Sequence, residues 1–190
     1  MNTTFPYAAL TWIVAIAMIP ACALAENTLP VKSPYEVTLD IDHDGKMDRA
    51  ILVETPTTGN GDLYIYLGTG AEKIDPTRKP AIVKKNLTTA RILQIEGDGK
   101  GSLIVMSGCG GCSNDYATTL TIVYRRGDFR IGGVTYDWDT RSGMGHCDIN
   151  FLTGKGVKSR GLTKGKPFKV KITPVKLAEW SPERRPKSCR

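Results

Sequence analysis

Helical periodicity is what this chain most lacks. Beyond residue 25, no window keeps apolar side chains at 3.6-residue spacing for more than two turns, which argues against any fold built on long helices. Histidine is scarce: only His43 and His146 occur, too few to complete a zinc site, and no Ser-His-Asp set or cofactor fingerprint appears. Three Trp, seven Tyr and four Phe offer little for base stacking, so nucleic acid is a poor partner. The first 25 residues hold no charged side chain at all.

Those residues contain the apolar run Ala8 to Ile19, then Pro20 and the small-x-small triplet Ala23, Leu24, Ala25. That pattern predicts a secretory signal, residues 1–25, cleaved to leave Glu26 first and sending the chain to a periplasmic or secreted location. An uncleaved anchor and lipidation at Cys22 are the alternatives. Cleavage leaves Cys109, Cys112, Cys147 and Cys189, and an even count in an exported chain predicts disulfides. Of the three pairings possible, the expected one joins Cys109 to Cys112 and Cys147 to Cys189, the second clipping the C-terminal segment to the body.

What the chain does have is glycine, with 20 residues, 11 prolines, and short runs of alternating apolar residues. "YEVTLD", "AILVE", "LYIYL", "ARILQI", "SLIVMS", "ATTLTIVY", "FRIGGVTY", "DINFL" and "FKVKIT" read as strands, separated by turns such as "TPTTGNG", "EGDGKG" and "RRGD". The expectation is a mainly β fold, a small antiparallel sheet domain of nine or ten strands spanning 26–190. Charge is graded along it. Residues 26–75 carry 4 Lys and Arg against 10 Asp and Glu, whereas 154–190 carry 12 against 2. A basic C-terminal segment of this kind suits an anionic partner.

The densest acidic stretch is "DIDHDGKMD". Asp40, Asp42, Asp44 and Asp48 crowd one bend, where like charges disfavour ionisation unless a cation sits among them. Alternate aspartates at loop positions 1, 3 and 5, a glycine at 6, the carbonyl of Lys46 at 7 and an aspartate at 9 are what a Ca2+ ion needs. Position 12 is Ile51, so the loop is no EF-hand. "LDIDHDGKMDRAILV" instead resembles the β-flanked calcium loops of FG-GAP or VCBS repeats, as in integrin α-subunit propellers. The resemblance implies structural calcium on Asp40, Asp42, Asp44 and Asp48, to which the loop spacing adds the Lys46 carbonyl, and blade-like β repeats forming a partial propeller or sandwich. A fainter copy, "LQIEGDGKGSLIVMS", matches five of 15 columns 54 residues later. There Gln94, Glu96, Asp98 and Ser102 replace the four aspartates, which leaves metal binding by that loop undecided.

Other motifs have bland readings. Cys109-x-x-Cys112 precedes a strand, which suits a loop staple better than a redox pair. His146 and Cys147 are neighbours on a strand and face opposite ways, so they form no catalytic pair. Arg126-Gly127-Asp128 sits at a hairpin turn, and Asp137 and Asp139 lie in a turn-like stretch. Trp180 and Cys189 read as anchors for the tail. Together these features predict an exported, non-enzymatic binding or adaptor protein of the bacterial envelope. Its partner would be an envelope protein or anionic polymer, with membrane contact only through 1–25. A periplasmic inhibitor or immunity protein against a cell-wall hydrolase or toxin is the alternative, and a glycan-acting enzyme comes third.

Overall fold

A computed structural model of the chain describes residues 35–69, 78–171, 175–184 and 189. Residues 1–25, where a signal is expected, and Cys22 within them lie outside the described residues. No helix among the described residues is long and apolar enough to cross a membrane.

Twelve strands are described, and the fold is mainly β as the alternation predicts. They are β1 (Glu36–Leu39), β2 (Asp48–Glu54), β3 (Gly61–Tyr66), β4 (Ile82–Thr88), β5 (Ile92–Gly97), β6 (Leu103–Cys109), β7 (Asp115–Arg125), β8 (Asp128–Thr140), β9 (Gly143–Asn150), β10 (Lys155–Arg160), β11 (Lys166–Lys169) and β12 (Val175–Lys176). The first four form one antiparallel meander, β1-β2-β3-β4. The rest form an eight-stranded antiparallel sheet in which β5 to β11 follow in chain order and β12 joins the start of β8. Beyond β6 the second sheet keeps growing through β7 to β11, so the two repeated hairpins open sheets of unequal size.

Period-2 burial holds the two sheets together. Ala50 and Leu52 of β2 and Leu63 and Ile65 of β3 face the same core as Leu103, Val105, Leu120, Ile122, Val134 and Ile149 of the larger sheet. Each of these is nearly or fully buried, and burying an aliphatic side chain stabilises by about 1.5–3 kcal/mol. The result is sandwich-like, with one continuous apolar layer between the sheets. On the far side of the small sheet, Ile51 and Tyr66 make a second, separate buried contact.

The strand edges follow local chemistry. The Arg126-Gly127 turn joins β7 to β8 with Arg125 opposite Asp128, and both turn residues have positive φ (56° and 74°), the geometry of a type I′ hairpin. The Asp128 carboxylate is engaged by Lys176 Nζ at 2.8 Å, so the RGD tripeptide is a turn whose aspartate anchors β12.

Both expected cysteine pairs form, Cys109 with Cys112 and Cys147 with Cys189. The second spans 42 residues and is buried in the core, and Trp180 beside it is only 2% exposed. The tail is therefore fixed to the body, and closing a loop of that length typically adds about 2–4 kcal/mol. Cysteine pairing of this kind is compatible with an oxidising compartment.

Candidate functional site

The carboxylate bend joins β1 to β2. Two left-handed residues, His43 (φ 63°) and Gly45 (φ 82°), fold the chain back so that its carboxylates turn inward. Asp40 Oδ1 accepts the N–H of Asp44 and its Oδ2 that of Gly45, both at 3.1 Å, and Asp42 Oδ1 also accepts from Asp44 at 3.1 Å. Asp48 is fully buried: Oδ2 accepts the Ile41 N–H at 2.8 Å and Oδ1 the Gly68 N–H at 2.7 Å. It thereby ties the start of the bend to the segment after β3.

One ligand oxygen each from Asp40, Asp42 and Asp48 lies within 4.8 Å of the others. Oxygens sharing a calcium ion at about 2.3–2.6 Å stand no further apart than about 5 Å, so the trio fits such an ion in donor type and spacing. A carboxylate oxygen that accepts one N–H keeps a second lone pair for a metal. Asp44 stands apart: Oδ1 accepts the Lys46 N–H at 2.8 Å, and Oδ2 pairs with Lys46 Nζ at 2.7 Å. Lys46 therefore meets the bend through its amide and ammonium.

The electrostatics divide the same way. Burial pushes the Asp48 carboxyl above its ordinary value against the opposing N–H bonds from Gly68 and Ile41, and the Asp42 charge pushes it further. The hydrogen bond from Lys46 holds Asp44 below its ordinary value. Asp48 thus has a carboxylate that a nearby cation would relieve, while Asp44 already has one.

The second loop, between β5 and β6, does not gather ligands. Asp98 Oδ1 accepts the N–H of Lys100 at 2.7 Å and of Ser102 at 2.9 Å, and Gln94 Nε2 donates to Glu96 Oε2 at 2.6 Å. Among the described residues, Asp40, Asp42 and Asp48 are the one such cluster of metal-ligating side chains.

No family model, curated protein or solved structure matches the chain. The likeness to FG-GAP and VCBS repeats is thus carried by the bend's own residues.

Two further surfaces come from the larger sheet. The first is a cleft of about 500 Å³ where Tyr116, Asp137, Trp138, Asp139, Met144 and His146 meet. Trp138 stacks on Tyr136 at 5.4 Å and lies over Gly145, where any Cβ would overlap its ring. Asp137 and His146 are cross-strand partners, and His146 Nδ1 lies 2.6 Å from Asp137 Oδ1. Asp115 sits opposite Asp139 across β7 and β8, its enclosed Oδ1 having no hydrogen-bond partner among the described residues. The strand rule correctly separates His146 from Cys147, which faces the core in its disulfide. It misses the Asp137–His146 pair, because the "DINFL" reading starts β9 five residues late. A two-residue turn at Arg141-Ser142 is the sequence signal that places the two side by side.

The second surface is the β10–β11 hairpin, at the outer edge of the sheet. Lys155 faces Lys169 and Lys158 faces Lys166, and like charges directly opposite on a sheet repel. None of Lys155, Arg160, Lys164, Lys166, Lys169 or Lys171 makes an ion pair with a described residue. The sequence has no Asp or Glu between Asp148 and Glu179. The basic segment thus divides: 155–171 lies on the exposed edge, while Leu177, Trp180 and Cys189 are buried in the core.

Proposed function

We propose that this chain is an exported, non-enzymatic binding or adaptor protein of the bacterial envelope, which holds its cationic β10–β11 edge against an anionic envelope component. One observation carries the reading: lysines face lysines across β10 and β11, in a stretch of sequence that has no Asp or Glu between Asp148 and Glu179. An isolated hairpin gains nothing from that arrangement, and an anionic partner converts the repulsion into affinity. The β scaffold behind it supplies rigidity. Calcium or a like divalent ion, held by Asp40, Asp42 and Asp48, would neutralise the bend and pin β1 to β2. Its role here is structural, with Asp44 and Lys46 shaping the turn beside it.

Retention on isolated envelope tests this reading. Wild-type protein should be retained at low salt and released at high salt, and Lys155→Glu with Lys169→Glu should abolish retention. Retention that ignores both salt and these substitutions would sink it.

A second reading, a periplasmic inhibitor or immunity protein, is favoured by the cleft. Asp115, Asp137 and Asp139 beside Trp138 and Met144 form an acidic, apolar-walled recess suited to a basic side chain of a target enzyme. Substitutions in the cleft, such as Asp137→Asn with Asp139→Asn, would then abolish partner capture while the hairpin substitutions leave it intact.

A further inference from the structure

The β10–β11 hairpin carries more than charge. At its turn stands Leu162, 98% exposed, whereas the next most exposed large apolar side chain among the described residues, Met47, reaches 56%. The turn is held in shape: Thr163 Oγ1 donates to the Arg160 carbonyl at 2.6 Å, and Gly161, at φ 56°, donates its N–H to the Met144 carbonyl at 2.8 Å. Leu162 is therefore presented by a closed turn tied back to β9. Directly beside it is a groove of about 410 Å³ lined by Lys158, Ser159, Arg160, Thr163 and Lys166: three cations and two hydroxyls, with no carboxylate. Lys164 flanks Leu162 on the other side in sequence.

A soluble polyanion would answer the cations and leave Leu162 in water. An acidic protein partner would answer them too, but would need its own apolar pocket at the turn. A bilayer interface answers both at once, because headgroup phosphates lie directly above an apolar layer. We propose that the β10–β11 hairpin docks on an anionic phospholipid bilayer, Leu162 entering the apolar layer while Lys158, Arg160 and Lys166 meet headgroup phosphate oxygens. This rests on the envelope-binding reading and names its partner, placing membrane contact in the folded domain as well as in residues 1–25.

The test is co-sedimentation of protein lacking residues 1–25, since every described strand lies after residue 35, with vesicles of phosphatidylglycerol in phosphatidylcholine. A parallel arm uses soluble polyphosphate. Wild-type protein should bind the anionic vesicles and not pure phosphatidylcholine. Leu162→Ala, at a position too exposed to affect folding, should weaken binding by about five- to tenfold. Lys164→Glu with Lys166→Glu should weaken it by about twentyfold or more. Leu162→Trp should gain a blue-shifted emission on anionic vesicles alone.

No binding to anionic vesicles overturns the proposal, as does Leu162→Ala binding them as tightly as wild type. Binding to polyphosphate without vesicle binding overturns it too, while leaving the envelope-binding reading intact. Loss of envelope retention with vesicle binding preserved would sink that earlier reading and leave the membrane contact standing.

Discussion

The β1–β2 and β5–β6 hairpins share a turn and differ in almost everything around it. In both, an aspartate side chain accepts the N–H two residues on, Asp44 from Lys46 at 2.8 Å and Asp98 from Lys100 at 2.7 Å. In both, the glycine between them has positive φ, 82° at Gly45 and 72° at Gly99. The columns that the two copies hold identically through Asp-Gly-Lys are therefore the columns of the turn. The columns that differ are those of the ion cluster: Asp40, Asp42 and Asp48 stand against Gln94, Glu96 and Ser102. Turn chemistry and metal chemistry occupy interleaved positions of one motif, and a copy can keep the first without the second. This also explains why Asp44, which belongs to the turn, is missing from the converging trio.

The largest expected asymmetry lies at the closing position. Asp48→Ala removes the acceptor for two N–H groups, those of Ile41 and Gly68, and should lower unfolding free energy by about 3 kcal/mol. Ser102→Ala in the other hairpin should cost less than about 0.5 kcal/mol. Urea unfolding of both variants decides the point, and equal losses would mean the buried carboxylate is no anchor.

The hairpins also touch, which gives the next largest effect. A Cβ at Gly101 would overlap the His43 ring and lie 2.9 Å from the Asp40 carbonyl oxygen, whereas one at Gly99 would meet nothing. Both glycines have positive φ, so alanine strains both by about 1 kcal/mol. Gly101→Ala should therefore destabilise by about 2 kcal/mol or more and Gly99→Ala by about 1 kcal/mol. If the two variants melt together, the second hairpin does not brace the first.

Legibility of the fold tracked how much burial each strand carries. Strands with one face in the core, such as β7 and the second half of β9, show alternation that a period-2 reading finds. Three strands lie where the pattern predicts none. In β4 the run "IVKKNLT" is broken by Asn86, whose left-handed φ of 51° makes a bulge opposite Gly61 and Leu63. In β10 the run "KGVKSR" has almost no apolar content, because its Gly156 leaves room for the Phe168 ring, where a Cβ would come within 2.5 Å. β12 is two residues long and held by the Lys176–Asp128 pair. At the candidate site, the bend was readable because its residues are contiguous. The Asp137–His146 pair and the facing lysines depend on cross-strand register, which a single strand's pattern does not carry.

Calcium should separate the hairpins by a smaller margin. With a dissociation constant of about 10⁻³ M, as in weak extracellular sites, about 10 mM calcium stabilises by about 1.4 kcal/mol. Asp42→Asn should abolish the gain measured against chelator, and Glu96→Gln should leave it whole. A gain that survives Asp42→Asn would move the ion elsewhere.

Acid should produce the smallest difference, with opposite signs at Asp48 and Asp98. Although desolvation pushes the other way, hydrogen bonds from Ser102 and Lys100 hold the Asp98 carboxyl below its usual value of 3.8. Its contribution to stability is thus fully present above that value and lost as pH falls through the lower, folded one. Asp48, raised mainly by burial, runs the other way: in metal-free protein its contribution is present below 3.8 and lost as pH rises through its folded value. Asp98→Asn should therefore be less stable than wild type at neutral pH, and the gap should close as the solution is acidified below about pH 3.8. Because Asp98 is exposed, solvent screens the effect and only a small gap is expected. Urea midpoints measured at half-unit steps from pH 7 to pH 2 would resolve it. A gap that widens on acidification would show that Asp98 is not held ionised by its turn, and that the two hairpins are electrostatically alike after all.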